Sequence, residues 1–315
     1  MTGVFWNRGN KTVKLNPILS DVSCEKSSDS IGSVTFTIDQ QRLGDIKFEV
    51  GDNILIPYPY DTSKWFFRGK IFTIAKANKE EVEITAYDIL KYFQGKKYYV
   101  FPTIDLGSII KVMCADLEVS YGYLEKTPNI PAKLYTDKAY GDILADCQGY
   151  LLYMNGEKYV HRVENGEIAL RNLKNLMTDY IITDRIVTDY EYEESAEDVI
   201  NVVEVTSKNS KTGEYTRYVV GDKDSMDKLG VLVTSEAADD DATWDQIVEK
   251  AKNTLFINKQ MKYSIKFTIP GLAWFNVYDI IRTQIDNEVN MGYIDAISWD
   301  LVEEETEITL SLLGQ

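Results

Sequence analysis

Through its first ninety residues the chain alternates apolar and polar positions with a period of two, the pattern of strands that bury one face and wet the other. In SVTFTID (33–39) the inward set is Val34, Phe36 and Ile38, with Thr35 and Thr37 outward. In VEITAY (82–87) Val82, Ile84 and Ala86 point in, while Glu83 and Thr85 point out. NILIPY (53–58) and a strand starting at Trp65 lie between them. The succession Trp65, Phe66, Phe67 places large aromatics on both faces, which a half-exposed strand cannot hide from water. One of those faces is expected to be covered by another domain or another chain.

Near residue 96 the period changes. TIDLGSIIKVMCADL (103–117) carries Leu106, Ile109, Ile110, Met113 and Leu117 at helical spacing, and Tyr140, Ile143, Leu144 and Cys147 mark a second, shorter helix. KYVHRVENGEIALRNL reads as a hairpin, because Asn165-Gly166 supplies the positive φ angles of a tight turn. Strands return in INVVEVTS and EYTRYVV, joined by the polar turn KNSKTGE. Asp239, Asp240 and Asp241 then precede a helix over 243–257 with Trp244, Ile247, Val248, Ala251 and Leu255 as its apolar positions. Acidic side chains suit the positive end of a helix, and Thr243 with Gln246 has capping-box spacing. Capping is the preferred reading of the triple aspartate over a metal site.

The strand pattern is written twice. SVTFTID, GDNILI, RGKIFTI and VEITAY are echoed in the same order by SIKFTIP (264–270), YDIIRT (278–283), MGYIDAI (291–297) and TEITLSL (306–312). The offset is 231 at the serines, 227 from Asp52 to Asp279, 223 from Gly69 to Gly292 and 224 from Ile84 to Ile308. Slow drift of this kind is what loops of unequal length produce between equivalent strands. The expected fold class is α+β and β-dominated, with two β-barrels separated by an inserted helix-and-sheet domain. The expected boundaries are 1–95, 96–186 and 187–315.

Composition removes several functions. Fifty acidic against 34 basic residues give a net charge of −16, which repels phosphate backbones and argues against direct nucleic-acid binding. No apolar run approaches the length of a membrane span, so no membrane insertion is expected, and no stretch of signal-peptide character opens the chain. Three scattered cysteines, Cys24, Cys114 and Cys147, fit a reducing cytoplasm. The single histidine, His161, sits in a strand without a nucleophile signature and is read as a half-buried or exposed strand residue. No phosphate loop or dinucleotide fingerprint occurs, and zinc lacks paired ligands. DKDSMDKLG (222–230) departs from the calcium-loop template at Met226 and Asp227 and reads as a solvated turn. EEETE (303–307) and YEYEESAED (190–198) read as charged turns or solvated faces. With no carboxylate marked as desolvated, no catalytic residue, metal or cofactor is expected, and the protein is read as a non-enzyme.

The succession VGDNILIPY, FFRGKIFTIAK, ITAYDILKYFQGKKYYVF, TIDLGSIIKVMCADL, YGDILADC, GEKYVHRVENGEIALRNL, INVVEVTS and DKLGVLV resembles the hub proteins of contractile phage tails, of the XkdQ/YqbQ-like type found in Gram-positive prophages and phage-tail-like bacteriocins. The resemblance implies that the two barrels are tail-tube-like and that a homotrimer presents six of them to a hexameric tail tube above a trimeric spike. It further implies contact with other baseplate proteins and the tape-measure protein, with assembly in the bacterial cytoplasm and final residence in the virion baseplate. Since the chain ends at Gln315, piercing and wall digestion are expected to belong to partners. Trp65, Phe66, Phe67, Trp274, Phe275 and Trp299 are the candidate core or interface residues. A tail-associated carbohydrate-binding or wall-degrading protein is the alternative, supported by exposed aromatics and abundant acids; an isolated secreted adhesin is a third.

Overall fold

The computed structural model describes residues 3–42, 44, 46–77, 81–238 and 240–313. The first strands are β1 (Phe5–Arg8), β2 (Lys11–Lys14), β3 (Leu19–Ser27), β4 (Ser33–Asp39), β5 (Asn53–Pro57), β6 (Trp65–Ala77) and β7 (Glu81–Tyr87). There follow β8 (Lys96–Phe101), β9 (Ile104–Asp105), helix α1 (Leu106–Asp116), β10 (Tyr121–Leu124), β11 (Asn129–Ile130), β12 (Lys133–Ala139), helix α2 (Tyr140–Asn155), β13 (Tyr159–Glu164), β14 (Glu167–Asn172), β15 (Met177–Thr183) and β16 (Asp189–Ser195). Next come β17 (Val202–Lys208), β18 (Tyr215–Gly221), helix α3 (Lys223–Leu229), β19 (Val233–Ala237) and helix α4 (Trp244–Asn258). The last strands are β20 (Lys262–Pro270), β21 (Ile280–Ile285), β22 (Glu288–Asp300) and β23 (Glu305–Leu312).

The chain divides into two compact units, one of residues 1–148, 158–192 and 264–315, the other of 149–157 and 193–263. In the first unit the repeat becomes geometry. β4 pairs β7, β7 pairs β6 and β6 pairs β5; in the second copy β20 pairs β23, β23 pairs β22 and β22 pairs β21, every pair antiparallel. The registers coincide as well. Phe36 faces Ile84 as Phe267 faces Ile308, and Ile54 faces Gly69 as Ile281 faces Gly292. A register shift between Ile71 and Thr73 recurs between Ile294 and Ala296, so even the bulge is copied.

The loop before each β5-type strand is copied too. The Asp52 carboxylate accepts the Glu49 N–H at 2.9 Å, and the Asp279 carboxylate accepts the Asn276 N–H at 2.9 Å. The carbonyl of Asp52 accepts Ile71 N–H at 2.8 Å where that of Asp279 accepts Ile294 N–H at 2.9 Å. An arginine braces each aspartate: Arg8 reaches Asp52 through Nε and Nη2 at 2.6 Å, and Arg162 reaches Asp279 through Nη1 at 2.6 Å. Burial pushes the Asp52 carboxyl up, but hydrogen bonds from Arg8, Trp6 Nε1 and the Glu49 N–H outweigh it and hold the group below the usual carboxylate range.

The two separate barrels expected from the sequence are not seen as closed units among the described residues. Their strands run through one 13-stranded sheet in the order β16-β20-β23-β22-β3-β4-β7-β6-β5-β1-β2, with β21 and β15 attached beside β22, and no ring of strands closes among the described residues. The link is β3, which pairs β4 of the first copy along one side and the far half of β22 along the other. Val34, Phe36, Ile38, Val82, Ile84 and Ala86, the inward sets read from the sequence, are all buried, and they share one apolar core with Ile265, Phe267, Ile297 and Ile308 of the second copy. The copies differ at their outer flank, where β1 runs antiparallel to β5 but β15 runs parallel to β21.

Around this sheet the helices form where the 3.6-residue spacing placed them. α1 is capped by Asp105, which accepts Ser108 N–H, and buries Leu106, Ile109, Ile110 and Met113; Leu117 falls just beyond its end. α2 is longer than α1, not shorter, with 16 residues against 11. β13 and β14 form the expected hairpin, with Asn165 and Gly166 at φ 53° and 77°.

In the second unit β17 pairs β18 antiparallel and β19 parallel, and α4 packs Ile247, Ala251 and Leu255 against Val203 and Val205. Thr243 and Gln246 form the capping box in full. Trp244 is more than half exposed with its ring edge-on to Tyr218, so it is not part of the helix's buried stripe. The stretch expected to be a turn at 222–230 is instead α3, capped by Asp222, whose carboxylate also meets Lys259 Nζ at 2.8 Å. Of the two readings of YEYEESAED, a charged turn or a solvated face, the structure has the second for YEYEES, which lies in the exposed strand β16.

The matched glycines allow a direct check of the duplication. A Cβ on Gly69 would collide with the Tyr87 carbonyl, and one on Gly292 would lie 2.6 Å from the Ser311 carbonyl, the equivalent atom. Gly69→Ala and Gly292→Ala should each destabilise the protein by about 1–3 kcal/mol in urea unfolding, whereas Gly141→Ala, in helix α2 where an added Cβ meets nothing closer than 3.7 Å, should cost nothing or gain up to about 1 kcal/mol.

Candidate functional site: the junction between the strand copies

The two copies meet around Phe66. Its ring stands edge-on to Trp299 at 4.5 Å and to Trp274 at 4.7 Å between centroids, with Tyr58 at 5.5 Å, geometries that aromatic quadrupoles favour. Phe66 and Trp299 are buried and Trp274 is half-buried, so three of the six aromatic candidates converge on one spot. Phe67, one residue along β6, faces the opposite way into the apolar core of the first copy. Phe275 is buried with its ring edge-on to Tyr180 at 5.1 Å. Trp65 is half-exposed, and its backbone N–H donates to Asn165 Oδ1 at 2.8 Å, which seats the β13–β14 hairpin on the end of β6. Gly166 lies against Arg68 so closely that a Cβ there would touch its aliphatic stem.

The junction also buries charge, which the sequence did not announce. Lys26 of β3 lies within the sheet interior, its Nζ 4.2 Å from the centre of the Phe66 ring and donating to the Phe66 carbonyl at 2.9 Å. Loss of solvent lowers its pKa. Arg162 of β13 is also buried; it donates to Asp279, to Glu164 at 2.7 Å and to the Val277 carbonyl at 3.0 Å. Asn276 closes the set, donating to the Val163 carbonyl at 2.8 Å. A cation buried without partners would cost several kcal/mol, and here each is matched by carbonyls, a carboxylate or a ring face. Strand alternation hid both, because Lys26 and Arg162 sit at positions that read as ordinary polar sites; only the lysine's place in an otherwise apolar set with Val22 and Cys24 carried a signal.

Little else here supports chemistry. His161 is half-buried in β13, with its Nδ1 3.1 Å from the Gln148 amide nitrogen, and loss of solvent pushes it down to about 4. Among the described residues no serine, cysteine or carboxylate stands in a triad with it. Cys24 is pushed up to about 12 by burial, which makes it an inert core thiol. No cluster of three or more ligating side chains occurs among the described residues, of which Asp239 is not one. One carboxyl does depart from the sequence expectation: Asp88 is buried and pushed up to about 7, chiefly by desolvation. Its bonds are structural, since its side chain caps a 3-10 turn at Leu90 N–H (2.9 Å) and its own N–H meets the Gly32 carbonyl. Among the described residues no helix is long and apolar enough to cross a membrane.

The fold, a duplicated strand module joined edge to edge, is that of phage tail proteins. The sequence pattern of the YQBQ-like family matches residues 22–309, and the chain belongs to that family. It is 26% identical over 223 residues to the phage-like element PBSX protein XkdQ of Bacillus subtilis (strain 168), an alignment covering 69% of this chain and 66% of that protein, just under two thirds of the relative's length. Among solved structures it is similar to the 43 kDa tail protein of prophage MuSo2 from Shewanella oneidensis, with a TM-score of 0.69, 10% identity and 98% of each chain covered. It is also similar to the E. coli c3393 protein, a component of the type VI secretion system described as structurally similar to T4 bacteriophage tail proteins gp27 and gp5, with a TM-score of 0.54, 6% identity and coverage of 95% of this chain and 74% of that one.

Two measurements test the junction. Phe66→Ala should destabilise the protein by about 3–5 kcal/mol in urea unfolding, and Trp65→Ala by under about 1.5 kcal/mol. For Asp88 the folded pKa lies above the unfolded one, so the folded form holds its proton longer and this group's contribution falls as pH rises from about 4 to about 7, then levels. Asp88→Asn, which keeps the cap, should therefore gain on the parent by a few kcal/mol across that window and by nothing more above it.

Proposed function

We propose that this protein is the structural hub of a contractile injection tail, a symmetry adapter between a hexameric tail tube and a trimeric spike. The observation that carries the reading is the copied module: four strands, one bulge, one braced aspartate turn and one close-approach glycine occur twice in the same register. Two equivalent modules per chain let three chains offer six similar surfaces upward and three downward, which is the symmetry change such a joint requires. Membership of the YQBQ-like family and the likeness in fold to a prophage tail protein support the same assignment. In this role the modules are tail-tube-like, and the partners are the tube protein, the spike, neighbouring baseplate proteins and the tape-measure protein. The chain is made in the host cytoplasm and ends in the baseplate of a phage, defective prophage or bacteriocin particle. It performs no catalysis. Trp65, partly exposed at the end of β6, and Trp274 are the candidates for contacts beyond the chain; Phe66, Phe67, Phe275 and Trp299 serve the core.

Electron microscopy of the native tail with this chain tagged, combined with quantitative mass spectrometry, tests the assignment. The label is expected at the tail tip, with three copies for each six-membered ring of tube protein. Six copies, or a chain absent from purified tails, would overturn it. Cell-wall hydrolysis by the pure protein would favour the alternative of a wall-degrading tail component.

A further inference from the structure

The two copies match in strand pairing but differ in what lies over them. In the second copy Ile280 pairs with Tyr293, and Tyr293 with Ser311. The same steps in the first copy run from Asn53 to Lys70 and from Lys70 to Tyr87. By the same count Tyr278, at φ 67°, corresponds to Gly51, at φ 96°, and Leu313 to Ile89. Over Ile280 and the rings of Tyr278 and Tyr293 the second copy lays its own chain: Val160 of β13, with Leu173 and Leu176 of the 3-10 turn that follows β14. At the matching place the first copy has a cleft of about 340 Å³, lined by Asn53, Lys70 and Ile89 together with Arg68, Tyr92 and the loop 117–120.

This cleft is cationic in an acidic chain. Arg68 and Lys70 stand two residues apart on one face of β6, roughly 7 Å from each other along the strand, and both are exposed. Neither makes an ion pair or a side-chain hydrogen bond among the described residues. In the second copy the same positions hold Met291 and Tyr293, and the Tyr293 hydroxyl is already taken by Lys158 Nζ at 3.0 Å. The Arg68 stem is held all the same, since it lies against Gly166 so closely that a Cβ there would come within 2.8 Å of Cδ. A guanidinium whose stem is fixed loses little freedom on taking a ligand. Two acids lie in the lining and neither pairs with these cations: Asp88 is buried with its carboxylate on Leu90 N–H, and Glu118 is exposed. Solubility is served by acids elsewhere on this surface, and it calls for neither a concave wall nor a clamped arginine.

We infer that this cleft is the docking site for a short acidic segment of a different protein, which covers the first copy as Val160, Leu173 and Leu176 cover the second. One carboxylate of the segment takes the Arg68 guanidinium in a two-point bond, and a second, two residues along an extended backbone, meets Lys70. Asn53 gives its amide N–H to Asn7 Oδ1 at 3.2 Å, which leaves its own carbonyl oxygen to accept a backbone N–H of the segment. Ile89, Tyr92, Leu117 and Val119, all half-buried, offer the apolar wall for a neighbouring side chain. A second copy of this chain fits less well, because a net charge of −16 repels its like over most of the surface. The site goes beyond the hub reading and does not depend on it, since the cleft and its cations belong to the chain by itself.

The test selects a displayed library of random short peptides on the pure full chain and measures the strongest binder by fluorescence anisotropy. Selected peptides should carry Asp or Glu at alternate positions beside an apolar residue. Arg68→Gln, which keeps much of the stem under Gly166, should weaken binding about tenfold or more, and Lys70→Gln several-fold, with urea midpoints unchanged. Arg282→Gln makes the same change of charge at an exposed position outside the cleft and should leave binding within about twofold. A selection that returns no peptide above background, peptides free of acids, or equal binding by Arg68→Gln would overturn the inference. Displacement of the peptide by inorganic phosphate, where chloride at the same ionic strength has no effect, would overturn it in favour of a small-anion site. Self-association of the pure chain in sedimentation that vanishes in Arg68→Gln would overturn it in favour of a second copy.

Discussion

Everything in the first unit depends on one strand having two neighbours. β3 gives its backbone hydrogen bonds to β4 on one side and to β22 on the other, although the partners lie more than 250 residues apart in sequence at Ile297 and Lys26. A backbone group buried without a partner costs about as much as a lost hydrogen bond, so the shared strand fixes the relative position of the two copies and commits them to a single core. Phe66, Trp274 and Trp299 then fill the volume beside it, and Lys26 is stationed there by the Phe66 ring and carbonyl. The aromatic cluster follows from the strand, because without β3 between them those rings would face solvent.

The strands were legible because burial on one face imposes a period of two that survives substitution. Val34, Phe36 and Ile38, and their partners Val82, Ile84 and Ala86, fall in the core as their alternation required. The repeat was legible for a related reason: Gly69 and Gly292, and Asp52 and Asp279, hold backbone positions that few other residues tolerate. The capping box at Thr243 was equally open to reading, since its chemistry is local. What sequence withheld was the fusion of two expected barrels into one sheet, because strand alternation says which face is buried and nothing about which edge is paired. α3 was missed for another reason. DKDSMDKLG has few apolar positions, so its helix is set by the Asp222 cap and by Gly230 at φ 80°, not by a buried stripe.

The buried ions at the junction illustrate how a structural protein can fix a geometry instead of maximising stability. Replacing Arg162 and its partners with apolar side chains of similar volume would cost little in principle, yet would remove the directional bonds to Asp279 and to the carbonyl of Val277. Directional bonds tie the β13–β14 hairpin to the second copy, and Trp65 with Asn165 ties it to the first. The hairpin therefore acts as a clamp over the seam that β3 forms beneath.

The repeated bulge, between Ile71 and Thr73 and again between Ile294 and Ala296, has an evolutionary consequence. A bulge sets local coiling of the sheet, and here curvature is encoded by two separate stretches of gene. One mutation can alter only one of them, leaving the two copies unequally coiled, so an even change of curvature takes a matching change at both sites.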